Sequence, residues 1–454
     1  MPKKTSLAIL FFAAIIFGLQ FVPARYHIRL DSYTAERVLE FTPRDLPVVK
    51  ESRVAVIATP RRFAGVRPTL DMRGLVDPAG DMTAFYQALW RTEAKVPGAV
   101  TRVLHYGDSP VTADSITADA RSILQKRFGD AGHGFVLIAK PWAWYGHRGI
   151  RLSAQGWNIE PASQSRARDG LHGLGGVSFT GGSGAVSTVG LPDDLHTRVE
   201  VFYEKQPGGG AFMVSARDEV LGVLETAAAA KTPGFAIFAL PPHTRDVTLT
   251  VRSGPVRLFG WSFEKPGPGV IYNSLGLNGA QVQMALRYFE PKQWAAEMQH
   301  EDPDLVVINY GTNESVFPDY IERYYEKELR SLIERVRAAV PRASVLIMSP
   351  MDRGVRESGG AIVTPDILPR IVEIQGKVAM DTGCAFFNTF DAMGGSGTMA
   401  KWYAQQPRLV SADFMHPLPG GAAIVGRLLD AAICEGFDRF KKAHVQARAN
   451  VPES

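Results

Sequence analysis

The chain has 454 residues, of which 45% are hydrophobic and 21% charged, and this globular composition excludes a disordered chain and a polytopic membrane protein. The formal net charge of +4 is small for this length, and the basic residues are scattered. Nucleic acid is therefore a poor candidate partner, whereas cell-wall polymers and other anionic glycans remain compatible with a mildly basic surface.

The first 24 residues carry the pattern of an export signal. Lys3 and Lys4 precede an apolar run over residues 7–22, and Val22-Pro23-Ala24 is an acceptable small-residue cleavage site. Because the run is near the short limit for a membrane span, an uncleaved anchor is the alternative to a cleaved signal peptide. We expect an exported protein, either periplasmic or anchored to the outer face of the inner membrane through residues 7–22.

A proline-containing segment without periodicity, residues 25–78, is predicted to be a linker or N-terminal arm. The spacing of apolar residues predicts a helix over residues 82–94 and a strand over residues 102–106. That strand ends in a turn, Gly107-Asp108-Ser109. A helical pattern over residues 113–128 comes next. A serine on a tight strand-to-helix turn suits a nucleophile, although an ordinary capped turn has the same three letters.

An aromatic cluster then precedes a change in the sequence pattern from helical to β-rich. Trp142, Trp144 and Tyr145 are candidates for a platform that stacks sugar rings, and the favoured alternative is a core patch between two domains. From about 150 to 265 the glycine density rises and short alternating runs appear, for example at 197–203 and 246–251. Such runs at close spacing predict a compact β-sandwich without long helices.

Beyond residue 265 strands again alternate with helices. Apolar runs predict four strands, at residues 269–274, 304–310, 344–349 and 385–388. Each strand is followed by a helical pattern, and these helices end near residues 300, 340, 382 and 434. With the strand before Ser109 they form an open, mostly parallel sheet with helices on both faces, whose site lies at the carboxyl ends of the strands. The β-rich block is then an insertion.

The chain offers a base, a carboxylate and oxyanion donors for Ser109. Asp413 and His416 are separated by two residues, so the carboxylate can reach one ring nitrogen while the other faces the serine. The backbone N–H groups of Ser109 and Gly279 and the amide of Asn313 are candidate oxyanion donors. Each of these residues also has a purely structural interpretation. His416 could be a loop histidine capped by Asp413, Gly279 an ordinary glycine between a strand and a helix, and Asn313 a turn residue.

Four short blocks in chain order resemble those of the SGNH (GDSL) hydrolase family. They are Gly107-Asp108-Ser109, Leu277-Asn278-Gly279-Ala280, Gly311-Thr312-Asn313-Glu314 and Asp413-x-x-His416-Pro417, and the resemblance covers about 100–150 and 268–435. It implies Ser109 as nucleophile, Asp413 and His416 as the rest of the triad, and Gly279 and Asn313 as oxyanion donors. Glu314 stands where many members have Asp. The β-rich insertion is most similar to that of peptidoglycan O-acetylesterases.

The resemblance implies an α/β fold: a flavodoxin-like three-layer hydrolase domain with a five-stranded parallel sheet, interrupted by an inserted β-sandwich. We expect the hydrolase domain over 79–150 and 266–440, a carbohydrate-binding-like sandwich over 151–265, and a C-terminal tail over 441–454. Cys384 and Cys434 could form a disulfide or remain two buried thiols, and both alternatives stay open.

The first functional hypothesis is an exported serine esterase that removes O-acetyl groups from a cell-wall or secreted polysaccharide, peptidoglycan being preferred. The second is a polysaccharide O-acetyltransferase on the same fold, which the same triad would serve. The third is a non-catalytic glycan-binding protein, against which Asp413 and His416 argue because a pure binder has no use for them. We expect no cofactor and no metal, since His105 and His147 lack the spacing of paired ligands.

Overall fold

The computed structural model describes residues 74–164 and 167–449, with the side chains of 446–449 left aside. The predicted export segment 1–24 and most of the predicted arm 25–78 lie outside the described residues, as does the end of the tail. Within the described part of the chain, no helix combines the length and the apolar character that crossing a membrane requires.

The elements fall into three stretches along the chain. The first is mixed: β1 (Leu75–Val76), α1 (Thr83–Glu93), β2 (Val100–Gly107), α2 (Ser109–Thr112), α3 (Ser115–Phe128) and β3 (Gly132–Val136). The second consists of strands: β4 (Arg151–Pro161), β5 (Val177–Gly190), β6 (Arg198–Lys205), β7 (Ala211–Ala216), β8 (Glu219–Glu225), β9 (Thr232–Ala239), β10 (Asp246–Ser253) and β11 (Val256–Glu264). Strands and helices then alternate again, as the sequence predicted.

The third stretch holds the rest of the elements. They are β12 (Gly269–Gly276), α4 (Val282–Arg287), α5 (Pro291–Glu301), β13 (Leu305–Asn309), a 3₁₀ turn (Glu314–Val316), α6 (Pro318–Tyr320), a π-helical turn (Ile321–Tyr325), α7 (Glu326–Ala339), β14 (Ser344–Met348), β15 (Val355–Arg356), β16 (Ile362–Val363), α8 (Ile367–Thr382), β17 (Ala385–Phe387), α9 (Thr389–Ala392), α10 (Thr398–Ala404) and α11 (Pro419–Ala449). The short strands β15 and β16 pair only with each other.

One six-stranded sheet carries the predicted site residues, in the order β1-β17-β14-β13-β2-β12. Five of these strands are parallel to their neighbours, and β1 is antiparallel to β17. The sheet is therefore mixed and six-stranded instead of the predicted five-stranded parallel one, because a two-residue edge strand is too short to show periodicity. Taken in chain order, the parallel strands lie in the flavodoxin-like order 2-1-3-4-5.

The strands of this sheet are buried on both faces, which explains their nearly continuous apolar sequences. Successive residues of β14 alternate between two cores: Val345 and Ile347 belong to one, Leu346 and Met348 to the other. Apolar side chains of α5, α7 and α8 complete the first core, and those of α1, α3 and α11 complete the second. Helices therefore cover both faces and leave the carboxyl edge of the sheet to the loops.

The strands of the middle stretch form a second, nine-stranded sheet. Its main path is β8-β7-β10-β5-β11-β6-β9, with β4 paired to β5 and β3 paired to β11, and the pairings are antiparallel. All nine strands share one hydrogen-bonded sheet, so the predicted sandwich of two sheets is not confirmed. Because β3 precedes residue 150, the strand pairing begins before the β-rich part of the sequence.

A partly buried polar network joins the two sheets. Arg102 on β2 lies 2.8 Å from a Glu264 oxygen on β11 and 3.8 Å from one of Glu301 on α5. His300, also on α5, hydrogen-bonds Glu200 at 2.6 Å and stacks on Phe235 with ring centroids 3.6 Å apart. The antiparallel sheet is thus fastened to the parallel one by charge pairs as well as by apolar packing.

Candidate active site

Ser109 is the second residue after the central strand β2 and the first residue of α2. The turn needs Gly107, because a Cβ there would lie 2.5 Å from a Val111 methyl group and 3.2 Å from the Asn309 carbonyl oxygen. The N–H of Thr112 bonds the Asp108 carbonyl at 2.9 Å and starts the helical turn. Ser109 is 8% exposed, so its hydroxyl lies in a shallow recess at the carboxyl edge of the sheet.

His416 reaches Ser109 from a loop that precedes α11. The loop is closed by a bridge between Val410 and Pro417, and Phe414 adopts a left-handed backbone conformation with φ of 58°. His416 Nε2 is 2.8 Å from Ser109 Oγ, and His416 Nδ1 is 2.6 Å from Asp413 Oδ2. The three residues that the sequence singled out therefore form one hydrogen-bonded chain.

The surroundings of Asp413 keep its carboxylate ionised. Burial raises the pKa of Asp413, but hydrogen bonds from the Ser411 hydroxyl, from the His416 ring and from the N–H groups of Met415 and His416 outweigh it and bring that pKa to about 2. An ionised carboxylate at Nδ1 fixes the proton there, so Nε2 presents its lone pair to Ser109. His416 is 45% exposed, which leaves the ring open to solvent.

Gly279 and Asn313 lie on two neighbouring loops at the same edge of the sheet. Gly279 has φ of +71°, and no atom lies within 4 Å of the position a Cβ would take. Asn313 Nδ2 donates to the Ala280 carbonyl at 3.0 Å and lies 3.4 Å from Asp108 Oδ2. The amide of Asn313 is therefore held beside the residue that precedes Ser109, with an unobstructed glycine nearby.

Glu314 was noted in the sequence only as a replacement for Asp, and the structure gives it a definite place. Its side chain is fully buried and accepts the N–H of Val282 at 2.8 Å and the N–H of Gly311 at 3.0 Å. Burial raises the pKa of Glu314 to about 7, although these N–H groups lower it. Glu314 thus ties together the loops that carry Gly279 and Asn313, a role that only tertiary contacts reveal.

Asp108 is the second buried carboxyl group at the site. Burial raises its pKa to about 6, opposed by a hydrogen bond from Thr312 and by the charge of His416. Its carboxyl group lies beside the Asn313 amide, 3.4 Å from Nδ2. Its closeness to both Asn313 and His416 could not be read from the three-letter pattern.

The aromatic cluster divides into one exposed and two buried members. Trp142 and Tyr145 belong to the core, and the Tyr145 hydroxyl accepts the Leu137 N–H at 2.9 Å. Trp144 is 55% exposed, and its Nε1 donates to Asn278 Oδ1 at 3.3 Å. Of the three sequence candidates, only Trp144 therefore presents a face to solvent beside the Gly279 loop.

The described residues also bear on metal and thiol chemistry. Within 74–164 and 167–449, no group of three or more His, Cys, Asp and Glu side chains is placed to hold a metal ion. Cys384 and Cys434 are both free thiols, which decides between the two alternatives left by the sequence. Oxygen and nitrogen groups on four loops at one edge of the sheet thus make up the site.

Comparisons with known proteins concern the family and the fold. Residues 253–424 match the model of the GDSL-like lipase/acylhydrolase family. No match was found among curated proteins. A peptidoglycan O-acetylesterase structure superposes with a TM-score of 0.69 at 22% identity, covering 80% of this chain and 99% of the other. At that identity the likeness shows a shared fold.

Two further structures score lower and carry no argument. A Bacillus subtilis protein matches at 13% identity and a TM-score of 0.32, covering 63% of this chain and 90% of its own. An active-site mutant of a family two carbohydrate esterase from Clostridium thermocellum matches at 14% identity and a TM-score of 0.27, covering 63% and 98%.

The family match spans the blocks that contain Gly279, Asn313, Asp413 and His416, and the fold of the peptidoglycan O-acetylesterase extends the likeness to the part of the chain with Ser109. The resemblance predicted from the sequence is confirmed: residues 253–424 match the model of the GDSL-like lipase/acylhydrolase family, and the chain resembles the SGNH hydrolases, among them a peptidoglycan O-acetylesterase.

Proposed function

We propose that the protein is an exported serine esterase that hydrolyses O-acetyl esters on a cell-wall or secreted polysaccharide, with peptidoglycan as the preferred polymer. The observation that carries this proposal is the chain of hydrogen bonds from Ser109 Oγ to His416 at 2.8 Å and from His416 to Asp413 at 2.6 Å. A serine is a weak nucleophile until a neighbouring base takes its proton, and this arrangement supplies one.

The reaction proceeds through an acetyl-enzyme. Ser109 Oγ attacks the acetyl carbonyl carbon while His416 Nε2 accepts the hydroxyl proton, and Asp413 stabilises the imidazolium. The tetrahedral intermediate then expels the sugar oxygen, which receives the proton from His416. A water molecule, deprotonated by the same ring, attacks the acetyl-enzyme and releases acetate and free Ser109. The exposure of His416 gives water the access that this second half requires.

Three donors stabilise the negative charge that develops on the carbonyl oxygen: the N–H groups of Ser109 and Gly279 and the Asn313 amide. The open space at Gly279 lets its N–H approach the substrate closely. A preorganised donor of this kind contributes about 3 kcal/mol of transition-state stabilisation. Glu314 fixes the two loops relative to each other, because it accepts an N–H from each, and so keeps these donors directed at one point.

The choice of a polysaccharide rests on three observations of different kinds. The most similar fold reported above is that of a peptidoglycan O-acetylesterase. The export pattern at residues 1–24 would bring the enzyme to the periplasm or to the outer face of the inner membrane. The exposed ring of Trp144 beside Asn278 offers a flat apolar surface to a sugar ring. The antiparallel sheet of residues 151–265 is proposed as the glycan-binding part.

The decisive experiment measures free acetate from a small acetyl ester and from O-acetylated peptidoglycan. Wild type should release acetate from both, and Ser109→Ala should lose at least about 1000-fold of that activity because it lacks the nucleophile. Ser183→Ala removes an exposed hydroxyl on the other sheet and serves as the matched control. Activity in Ser109→Ala equal to wild type would contradict the mechanism, and acetyl appearing on a sugar acceptor without free acetate would indicate a transferase.

A further inference from the structure

Arg353 is a buried cation without a counter-charge. Its side chain is 8% exposed, its Nε has no hydrogen-bond partner, and no carboxylate forms an ion pair with it among the described residues. Burial lowers the pKa of the Arg353 guanidinium below its ordinary value. A desolvated charge with no partner destabilises a fold, so its presence calls for a function.

The loop that carries Arg353 lies between two loops of the active site. It follows β14 at the carboxyl edge of the parallel sheet, next to β13. On one side, Pro350 comes within 3.0 Å of the position a Cβ would take at Gly311, at the start of the Asn313 loop. On the other side, the N–H of Gly354 bonds the Phe414 carbonyl at 2.8 Å, inside the His416 loop. Arg353 therefore belongs to the wall of the same site.

Two more arginines surround Phe414, the residue two positions before His416. The Arg356 guanidinium lies 5.0 Å from the centre of the Phe414 ring. Arg408 lies 4.1 Å from the Tyr403 ring, which packs edge-on against Phe414 at 4.7 Å. Neither of these arginines has an ion pair among the described residues, so three arginines without an ion pair lie on or beside the histidine loop.

Two acidic side chains of these loops, Asp352 and Asp413, are already engaged in hydrogen bonds. Asp352, adjacent to Arg353 in sequence, accepts the Thr364 hydroxyl at 2.6 Å and the Met399 N–H at 2.8 Å. Asp413 accepts the ring of His416 and two backbone N–H groups. The chain therefore leaves the Arg353 guanidinium available for an anion that comes from outside the protein.

We propose that Arg353, supported by Arg356 and Arg408, binds a carboxylate of the polymer, so that the acetylated substrate is an acidic polysaccharide. A guanidinium matches a carboxylate with two parallel N–H bonds, which fixes orientation as well as charge. This inference rests on the proposed esterase function and names the substrate class for the same site. The carboxylate holds the acetylated sugar residue against the loop of His416, and Arg353 acts as a specificity-determining residue.

The test compares two versions of one substrate: an O-acetylated oligouronide with free carboxylates and the same oligomer with its carboxylates methyl-esterified. The measured quantity is the ratio of kcat/KM for acetate release from the acidic over the neutral oligomer. For Arg353→Met we expect this ratio to fall about 10- to 100-fold, mainly through a higher KM, since a hydrogen-bonded charge pair is lost. Arg353→Lys should restore part of the ratio, because it keeps the charge without the planar fork.

Arg342→Met is the matched control, because Arg342 precedes β14 at the opposite edge of the sheet and is exposed. This variant should leave the ratio as in wild type. Removal of an uncompensated buried charge should also leave the thermal stability of Arg353→Met equal to or above that of wild type. A lower stability with an unchanged ratio would show that Arg353 is structural and would overturn the proposal.

Failure of the proposal and failure of the proposed function give different results. If wild type releases acetate from neither oligomer nor from a small acetyl ester, the esterase function itself is wrong. If wild type hydrolyses both oligomers and Ser109→Ala neither, but wild type and Arg353→Met show the same ratio, the function stands and the carboxylate site is wrong.

Discussion

Asp413 is the residue whose hydrogen bonds decide which ring nitrogen of His416 carries the proton. Its carboxylate accepts the Nδ1–H group, and an amide in its place can donate to Nδ1 and thereby turn the lone pair of Nε2 into an N–H. We therefore expect Asp413→Asn to lower kcat on a small acetyl ester by about 100- to 10,000-fold.

The control for this variant is Asp438→Asn. Asp438 lies on α11, and its exposed carboxylate pairs with Arg127 of α3. Activity of Asp413→Asn within about threefold of wild type would exclude Asp413 from the mechanism. The low pKa of Asp413 also means that its interactions stabilise the fold above pH 4 and are lost as the pH falls toward 2.

Asp108 gives the opposite pH dependence of stability. Burial raises its pKa from the ordinary 3.8 to about 6, so the folded state prefers the neutral acid. The unfolded chain ionises first, and the contribution of this group to stability is therefore full below pH 4 and is lost as the pH rises through 6. At pH 8 the loss is about 3 kcal/mol, as a shift of two pKa units implies.

The variant Asp108→Asn cannot ionise and should unfold at a higher temperature than wild type at pH 8. The difference should shrink progressively between pH 6 and pH 4, in scans of thermal unfolding taken across that range. A difference that stays constant with pH would mean that Asp108 does not titrate in this range, and a less stable Asp108→Asn at pH 8 would mean that the lost acceptor outweighs the removed charge.

At the scale of elements, the loops after β12 and β13 form one unit because Glu314 accepts an N–H from each. Glu314→Gln replaces one acceptor oxygen by an NH₂ group, which leaves one buried N–H facing a donor. We expect a loss of about 1–3 kcal/mol of stability. We also expect kcat to fall about 10-fold or more, because the donors at Gly279 and Asn313 are no longer aligned.

Kinetics and chemical denaturation of the same preparation check this expectation. The exposed Glu435, which pairs with Arg439 on α11, provides the control Glu435→Gln. Loss of stability together with an unchanged kcat would show that Glu314 supports the fold without positioning the donors.

Particular elements show how far the sequence could lead. The strands before Ser109, Gly279 and Asn313 were predicted because buried parallel strands are continuous apolar runs that end in turns. Strand β5 leaves only a rise in glycine density in the sequence, since the glycines of Val177–Gly190 weaken its β-propensity signal. The predicted end of α11 near residue 434 was early, because Phe437 and Phe440 continue its apolar face.

The sequence predicted the reacting residues of the site but not the residues that support them. Ser109, Asp413 and His416 were found because chemistry fixes their residue types and the sheet fixes their common edge. The clamp at Glu314 and the unpaired burial of Arg353 depend on contacts between loops that are distant in sequence. Composition and spacing carry no signal for such contacts, since an arginine in a loop is ordinarily exposed.

At the scale of the whole molecule, Arg102 couples the two sheets through Glu264 and Glu301. Arg102→Met leaves Glu301 without its cation and Glu264 with only Arg198, 3.6 Å away, and we expect a loss of about 3 kcal/mol of stability at neutral pH. Burial already raises the pKa of Glu301, so the deficit should decrease as the pH falls and the carboxylates become neutral.

Thermal unfolding of Arg102→Met should remain a single transition, because the apolar core and the hydrogen bond between His300 and Glu200 still join the two sheets. The exposed pair of Arg151 and Asp246 supplies a control, and Arg151→Met should change stability by less than about 0.5 kcal/mol. Two separate transitions in Arg102→Met would show that the sheets unfold independently and would contradict the coupling.

The position of β2 has a consequence for how the protein is made. This strand lies in the middle of the parallel sheet, yet both of its neighbours, β12 and β13, come after the complete antiparallel stretch. While the chain is synthesised, the backbone groups of β2 stay unpaired until residue 276 for the edge that faces β12 and until residue 309 for the edge that faces β13. In cell-free synthesis, esterase activity should therefore appear abruptly and late, and chains truncated before β13 should depend on chaperones to stay out of aggregates.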